Sequence, residues 1–162
     1  MKRTTQFIFL VVLLLGVLSS CSPEQRALRK AEQIRTDLEG KWEVTAIQLS
    51  SGTDEWDAPQ EELGTFEVLP CQDETSGYCS AIRVFPSGLT FEFGFQVTAY
   101  PERDEASELS MFVGTAPSNE VAWTGIFSVV SMDEQSLRLH SDGPAATARN
   151  AETILIQAVR AN

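Results

Sequence analysis

The residues that could do chemistry in this 162-residue chain are few and widely separated. His140 is the single histidine, and the alternation of Leu137, Arg138, Leu139 and His140 puts it on an outward face. Hydrolysis by a nucleophile needs a hydroxyl, a base beside it and a third group to orient that base. Serines are plentiful, but one outward imidazole does not supply a Ser-His-Asp arrangement. No glycine-rich phosphate cradle follows a strand. The carboxylates of Asp54, Glu55 and Asp57 form an acidic run whose spacing is not that of a twelve-residue calcium loop, and they read as solvated loop charge. No catalytic residue, metal site or cofactor is therefore expected. Trp56 stands inside that run, suited to lid a pocket, to anchor a protein partner or to tuck back onto the fold. The remaining reactive side chains are three cysteines, Cys21, Cys71 and Cys79.

Cys21 closes the run Leu18-Ser19-Ser20-Cys21. Lys2 and Arg3 precede an apolar stretch over 7–18, and the composition turns polar at once with Ser22-Pro23-Glu24-Gln25-Arg26. A basic start, a short apolar middle and small residues before a cut site make a secretory signal peptide. Twelve residues at about 1.5 Å rise span roughly 18 Å, well short of the roughly 30 Å hydrocarbon core of a bilayer. The run resembles the lipobox of bacterial lipoproteins. That resemblance implies a diacylglyceryl group on the Cys21 thiol, cleavage before it, and acylation of the new N-terminus by a fatty acid such as palmitate. It also implies a lipid-anchored place in the cell envelope. Ser22 at the next position, by likeness to enterobacterial sorting, points to the outer membrane of a Gram-negative bacterium. With Cys21 assigned to lipid, Cys71 and Cys79 are left as a pair in an oxidising compartment. A disulfide across the loop between them would stabilise the fold by roughly 2.5 kcal/mol on the chain-entropy model.

The elements that must position these residues follow from periodicity. Ser22 as N-cap, Pro23 at the first helical position and Gln25 in the capping-box place open a helix. Ala27, Leu28, Ala31, Ile34 and Leu38 recur at helical spacing as its apolar stripe, and Gly40 stops it. From Lys41 the helical period gives way to alternation. Trp42, Val44 and Ala46 mark a first strand; Phe66 and Val68 a second; Ile82 and Val84 a third, ending at Pro86-Ser87-Gly88. Leu89, Phe91, Phe93, Phe95 and Val97 share one face of a fourth. Leu109, Met111 and Val113 mark a fifth, Trp123 and Phe127 a sixth, Leu137 and Leu139 a seventh, Ile154 and Ile156 an eighth. Residues 50–62 and 142–150 read as loops. Eight antiparallel strands with short turns and no helix between them are best satisfied by a closed up-and-down barrel, which removes both edges. The expected fold is all-β: an eight-stranded antiparallel up-and-down barrel preceded by a short amphipathic helix. The divisions are a signal peptide at 1–20, a lipid-anchored helical linker at 21–39 and the barrel at 40–162.

Gly40-Lys41-Trp42 follows a helical turn and opens the first of the eight strands, and it resembles the Gly-x-Trp signature of the lipocalins and of lipocalin-like envelope lipoproteins. The resemblance implies that a late arginine packs over that tryptophan. In a closed barrel of eight strands the first and last pair antiparallel, which brings Arg160 beside Trp42. Gly40, Trp42 and Arg160 are thus expected to close one end, where the lipid anchor joins, and Trp56 to lie at the other.

The formal charge is −11, and loss of Lys2 and Arg3 with the leader takes it to −13. Residues 22–39 carry four bases and four acids, so the excess sits on the barrel. Such a surface repels nucleic acid and anionic lipid heads. The first reading is a lipid-anchored lipoprotein that binds a hydrophobic small molecule in the barrel, the alternative is a protein-binding module, and neither is an enzyme. On the first reading Phe91, Phe93, Phe95, Met111, Trp123 and Phe127, with Trp56 above, line a site for the hydrophobic molecule; on the alternative the inward side chains fill the barrel. A filled barrel favours a protein-binding module, an envelope assembly component or an inhibitor.

Overall fold

In the computed structural model, residues 22–71, 79–100, 102, 105–112 and 125–161 are described. The leader with Cys21, the loop between Cys71 and Cys79, the 115–119 turn and Trp123 lie outside them. Helix α1 covers Pro23–Leu38, and the Ser22 hydroxyl accepts from the Gln25 backbone N–H at 3.3 Å. Ala27, Ala31 and Leu38 are buried and Ile34 packs against the core. Leu28, expected in the same stripe, is 54% exposed. The inward positions 27, 31, 34 and 38 are spaced by four, three and four, and Leu28 falls about 60° beyond the edge of their stripe. The helix rests on the fourth and fifth staves of the barrel.

The strands are β1 (Gly40–Ser51), β2 (Asp54–Asp57), β3 (Gly64–Val68), β4 (Cys79–Val84), β5 (Thr90–Tyr100), β6 (Glu105–Phe112), β7 (Gly125–Met132), β8 (Ser136–Ser141) and β9 (Thr153–Arg160). Pairing runs β2-β1-β3-β4-β5-β6-β7-β8-β9, and β1 pairs with β9 as well. All pairs are antiparallel. The staves β1 and β3 to β9 therefore close an eight-stranded up-and-down barrel. β2 is an added strand folded back on the far half of β1, beyond the stretch that pairs with β3.

Four local readings of the sequence are corrected. The 50–62 segment is not one loop, because Gly52 at φ +60° lets the chain reverse tightly into β2, and a 3-10 turn follows at Gln60–Glu62. The 142–150 loop contains a short helix, α2 (Pro144–Thr147). In β1 the register slips between Val44 and Ala46, so Ile47 and Leu49 become the buried residues and Ala46 is only half-buried. A bulge of this kind shifts alternation by one residue. In β4 the inward residues are Cys79, Ala81 and Arg83, while Ile82 and Val84 are half-buried on the other face. Pairing decides it: Arg83 lies opposite inward Phe66, and Ala81 opposite inward Phe93.

Candidate functional site

The end at which α1 enters is closed by Trp42. Its ring is fully buried and stacks on Phe66 with centroids 6.3 Å apart, and its indole N–H donates to the Leu38 carbonyl at 2.8 Å. The Arg160 guanidinium sits 4.0 Å from the Trp42 ring centroid, as the register Trp42 opposite Arg160 requires. It also donates to the carbonyls of Glu39 and Asp37, the latter at 2.8 Å, so it satisfies the last turn of α1. Gly40 has φ +104°, and a side chain there would press on the Arg160 guanidinium. Glycine is needed where helix end, strand and arginine meet. The Cys71–Cys79 disulfide ties the segment after β3 to the start of β4, with Cα atoms 4.8 Å apart.

Inside the barrel Phe93, Phe95 and Phe127 are buried with Phe66, Val68, Leu137 and Leu139. The Phe91 backbone pairs with Arg83, and the Met111 backbone with Phe95 and Gly125. Leu38 reaches in from α1, and the space left among Leu38, Phe66, Val68, Phe93, Phe95, Leu137 and Leu139 is about 10 Å³. One water needs about that much room, and a lipid chain far more. Among the described residues this part of the interior is packed core.

The opposite end is latched by charged groups that the sequence does not announce. Arg83 is fully buried and donates to the carbonyls of Glu62, Leu63 and Thr65, with its guanidinium 4.8 Å from the Phe85 ring centroid. Above it Glu62 pairs with Arg149, joining the turn after β2 to the segment after α2. Burial, and then the neighbouring Arg149 charge, pull the Arg83 pKa down to about 10, with Glu62 opposing. Arg83 therefore stays a cation at neutral pH. Ala58, Ala145, Ala146 and Ala151 fill the remaining space beneath these segments. The only prior signal was parity within β4: counting inward from Cys79 by twos reaches Arg83.

Trp56 lies on β2 opposite the inward Leu49 and is 39% exposed. Its neighbours Glu55 and Asp57, on the other face of that strand, border a trough of about 440 Å³ on the outer wall of the barrel. The trough crosses four strands: Glu55, Trp56 and Asp57 on β2, Gln48, Leu49 and Ser50 on β1, Thr153 and Leu155 on β9, and His140 on β8. Four adjacent strands at about 4.8 Å spacing place its two rims roughly 14 Å apart. Its floor is internally bonded, Ser50 Oγ to Thr153 Oγ1 at 2.6 Å and the Gln157 amide to Gln48 at 3.2 Å. Those polar groups fix the floor and leave the rims as the chemically available part. Among the described residues no group of three or more His, Cys, Asp or Glu side chains could hold a metal ion.

No protein-family model matches the sequence, and no curated protein is similar to it at a significant level. Among solved structures the chain is similar to a lipocalin-like protein from Bacteroides uniformis, at 20% identity over 75% of this chain and 96% of that one, with a TM-score of 0.44. It is similar to an uncharacterized protein from Bacteroides eggerthii, at 15% identity over 75% and 98%, with a TM-score of 0.42. Lobster apocrustacyanin A1 matches at 12% identity over 87% and 71%, with a TM-score of 0.42. The closed eight-stranded barrel rests on the strand pairing of this chain itself.

Proposed function

We propose that this protein is a lipid-anchored binding protein of the bacterial envelope, with the barrel as scaffold and the outer trough beside Trp56 as its recognition surface for another protein. The contrast in available space carries the reading: about 440 Å³ on the outer wall against about 10 Å³ in the part of the interior that Leu38, Phe66, Phe93 and Leu139 line. Ligand sites usually offer several hundred Å³ of concave space with a few placed polar groups. The anchor rests on the lipobox resemblance at Cys21, and with it the envelope location and the Gram-negative outer membrane. With one histidine, on an outward face of β8, the proposal is for binding without chemistry.

Two measurements on the chain lacking residues 1–21 and on the anchored chain test this. Native mass spectrometry of the former should show unliganded protein, with no brightening of a hydrophobic dye. A retained apolar molecule would instead put the site inside the barrel. A photoreactive group at position 56 of the anchored chain should crosslink a protein in intact envelopes, whereas one at position 92, on the exposed face of β5 away from the trough, should not. Equal yields at both positions would remove the trough from consideration.

A further inference from the structure

We infer that the open edge of β2 receives an extended segment of the protein partner as an added strand, with basic side chains beside Glu55 and Asp57 and an apolar one beside Trp56. The inference deepens the reading of the trough as a protein-recognition surface and rests on it, since β2 forms one rim of the trough. Among the described residues β2 is the only strand that pairs on one side alone; every other strand has neighbours on both sides. The hydrogen bonds fix which main-chain groups this leaves open. The Ala58 N–H donates to the Ile47 carbonyl at 2.8 Å, and antiparallel pairs alternate between bonded and unbonded. Trp56 opposite Leu49 and Asp54 opposite Ser51 are therefore the bonded pairs of this hairpin. Glu55 and Asp57, opposite Ser50 and Gln48, turn their N–H and carbonyl groups away from β1. The Ser50 carbonyl accordingly faces β9 and accepts from the Glu152 N–H at 2.8 Å. The N–H and carbonyl groups of Glu55 and Asp57 thus line an edge to which no main-chain group among the described residues bonds.

Side chains along that edge alternate as an added strand would meet them. Glu55 and Asp57 lie on the outer face with Gln48 and Ser50, while Trp56 lies on the opposite face with inward Leu49 and is still 39% exposed. In an antiparallel addition, the residues bonded to Glu55 and Asp57 place their side chains beside the two carboxylates. The residue between them places its side chain beside the indole. A basic–apolar–basic run satisfies all three positions, by opposite charge on one face and by covering the exposed ring on the other. The −13 charge of the chain after its leader steers such a segment in and repels an acidic one. A second copy of this chain is excluded as the occupant, because two β2 edges paired antiparallel would set carboxylate opposite carboxylate. Charged edge strands block self-pairing in this way.

The test uses the mature anchored chain in zwitterionic phosphatidylcholine nanodiscs, so that lipid charge does not compete. The probe is a labelled octapeptide alternating lysine and valine. A second version is N-methylated at the lysines, whose N–H groups would face β2; a third is N-methylated at the valines, whose N–H groups would face away. Charge and side chains are the same in all three, so main-chain pairing alone tells them apart. The parent and valine-methylated peptides should bind within about threefold of each other, and the lysine-methylated one about tenfold or more weaker. Asp57→Pro removes an edge donor where an edge strand tolerates proline. It should weaken parent binding several-fold beyond Asp57→Asn, which removes the charge and keeps the donor. Trp56→Ala should also weaken it several-fold. No binding by the parent peptide, or equal binding by the two methylated ones, overturns the inference. The two readings fail separately. A crosslink from position 56 into a helix or loop of the partner keeps the trough and removes the added strand. Equal crosslinking at 56 and 92 removes both.

Discussion

A guanidinium facing inward from a barrel stave is the least expected residue in this molecule. Arg83 is tolerated because three backbone carbonyls, those of Glu62, Leu63 and Thr65, accept its protons. Buried cations persist where such partners are supplied. The same carbonyls are what a substitution would strand. Arg83→Met keeps most of the volume and removes the donors, so it isolates hydrogen bonding from packing. We expect Arg83→Met and Arg83→Ala both to lose about 3 kcal/mol or more, read as a shift of the urea midpoint at constant slope. A methionine variant as stable as the parent would mean that the carbonyls find other donors and that Arg83 is no clamp. A second residue-scale expectation concerns Asp133 in the turn between β7 and β8. It accepts from the Ser136 hydroxyl and from the backbone N–H groups of Gln135 and Ser136, all at 2.7–2.8 Å, and these bonds hold its carboxyl below the ordinary value of 3.8. A lowered folded pKa stabilises the protein above the ordinary carboxylate range, and that contribution is lost as pH falls through the folded value. Asp133→Asn should therefore melt below the parent at pH 7, and the difference should shrink below about pH 4. A gap in Tm that is constant from pH 7 to pH 2 would contradict the assignment.

Elements were legible in the sequence where a period ran uninterrupted. Helix α1 announces its own start through Ser22, Pro23 and Gln25, and the eight staves of the barrel follow from alternation and turn residues. The places that misled are those where one residue resets the count. The bulge after Val44 sends Ile47 inward instead of Ala46, and composition cannot show it because both residues are apolar. In β4 the apolar pair Ile82 and Val84 outvoted Arg83 on hydropathy, while the register with β3 and β5 places Arg83 inside. The site was illegible for a related reason: Trp56 looked like part of a polar loop until Gly52 turned the chain back onto β1. Gly64 shows how tightly such junctions are set. It opens β3 at φ +102°, and a Cβ there would run into the Val84 carbonyl and crowd Phe85 and Pro86. Backbone strain and collision combine, so Gly64→Ala should cost about 2–3 kcal/mol, measured by the urea midpoint. Gly88→Ala, also at positive φ but with open space around its Cβ, should lose about 1 kcal/mol. Equal losses at the two glycines would mean that dihedral strain alone governs both.

At the scale of the whole molecule, the barrel separates two ends that the anchor would distinguish. Arg160 gathers one end: it stacks on Trp42, bonds the end of α1, and donates to the Glu134 carbonyl in the turn between β7 and β8. Trp56 lies opposite Leu49, seven residues further along β1 from Trp42. Seven residues at about 3.3 Å make roughly 23 Å of strand, and a tilt of about 40° leaves roughly 18 Å along the barrel axis. An anchor at Cys21, joined through Ser22 to α1 and so to the Arg160 end, would hold that end toward the bilayer and the Trp56 rim away from it. The expected outcome is then geometric. Spin labels at positions 134 and 56 of the lipidated chain in vesicles should differ in accessibility to a bilayer-bound relaxation agent, with position 56 about 15–20 Å farther from the lipid heads. A label at position 87, in the turn between β4 and β5, should report with position 56, because both lie at the end away from Arg160. If position 56 proves as close to the bilayer as position 134, the barrel lies on its side, the trough faces lipid or runs along it, and a partner would have to approach in the plane of the membrane.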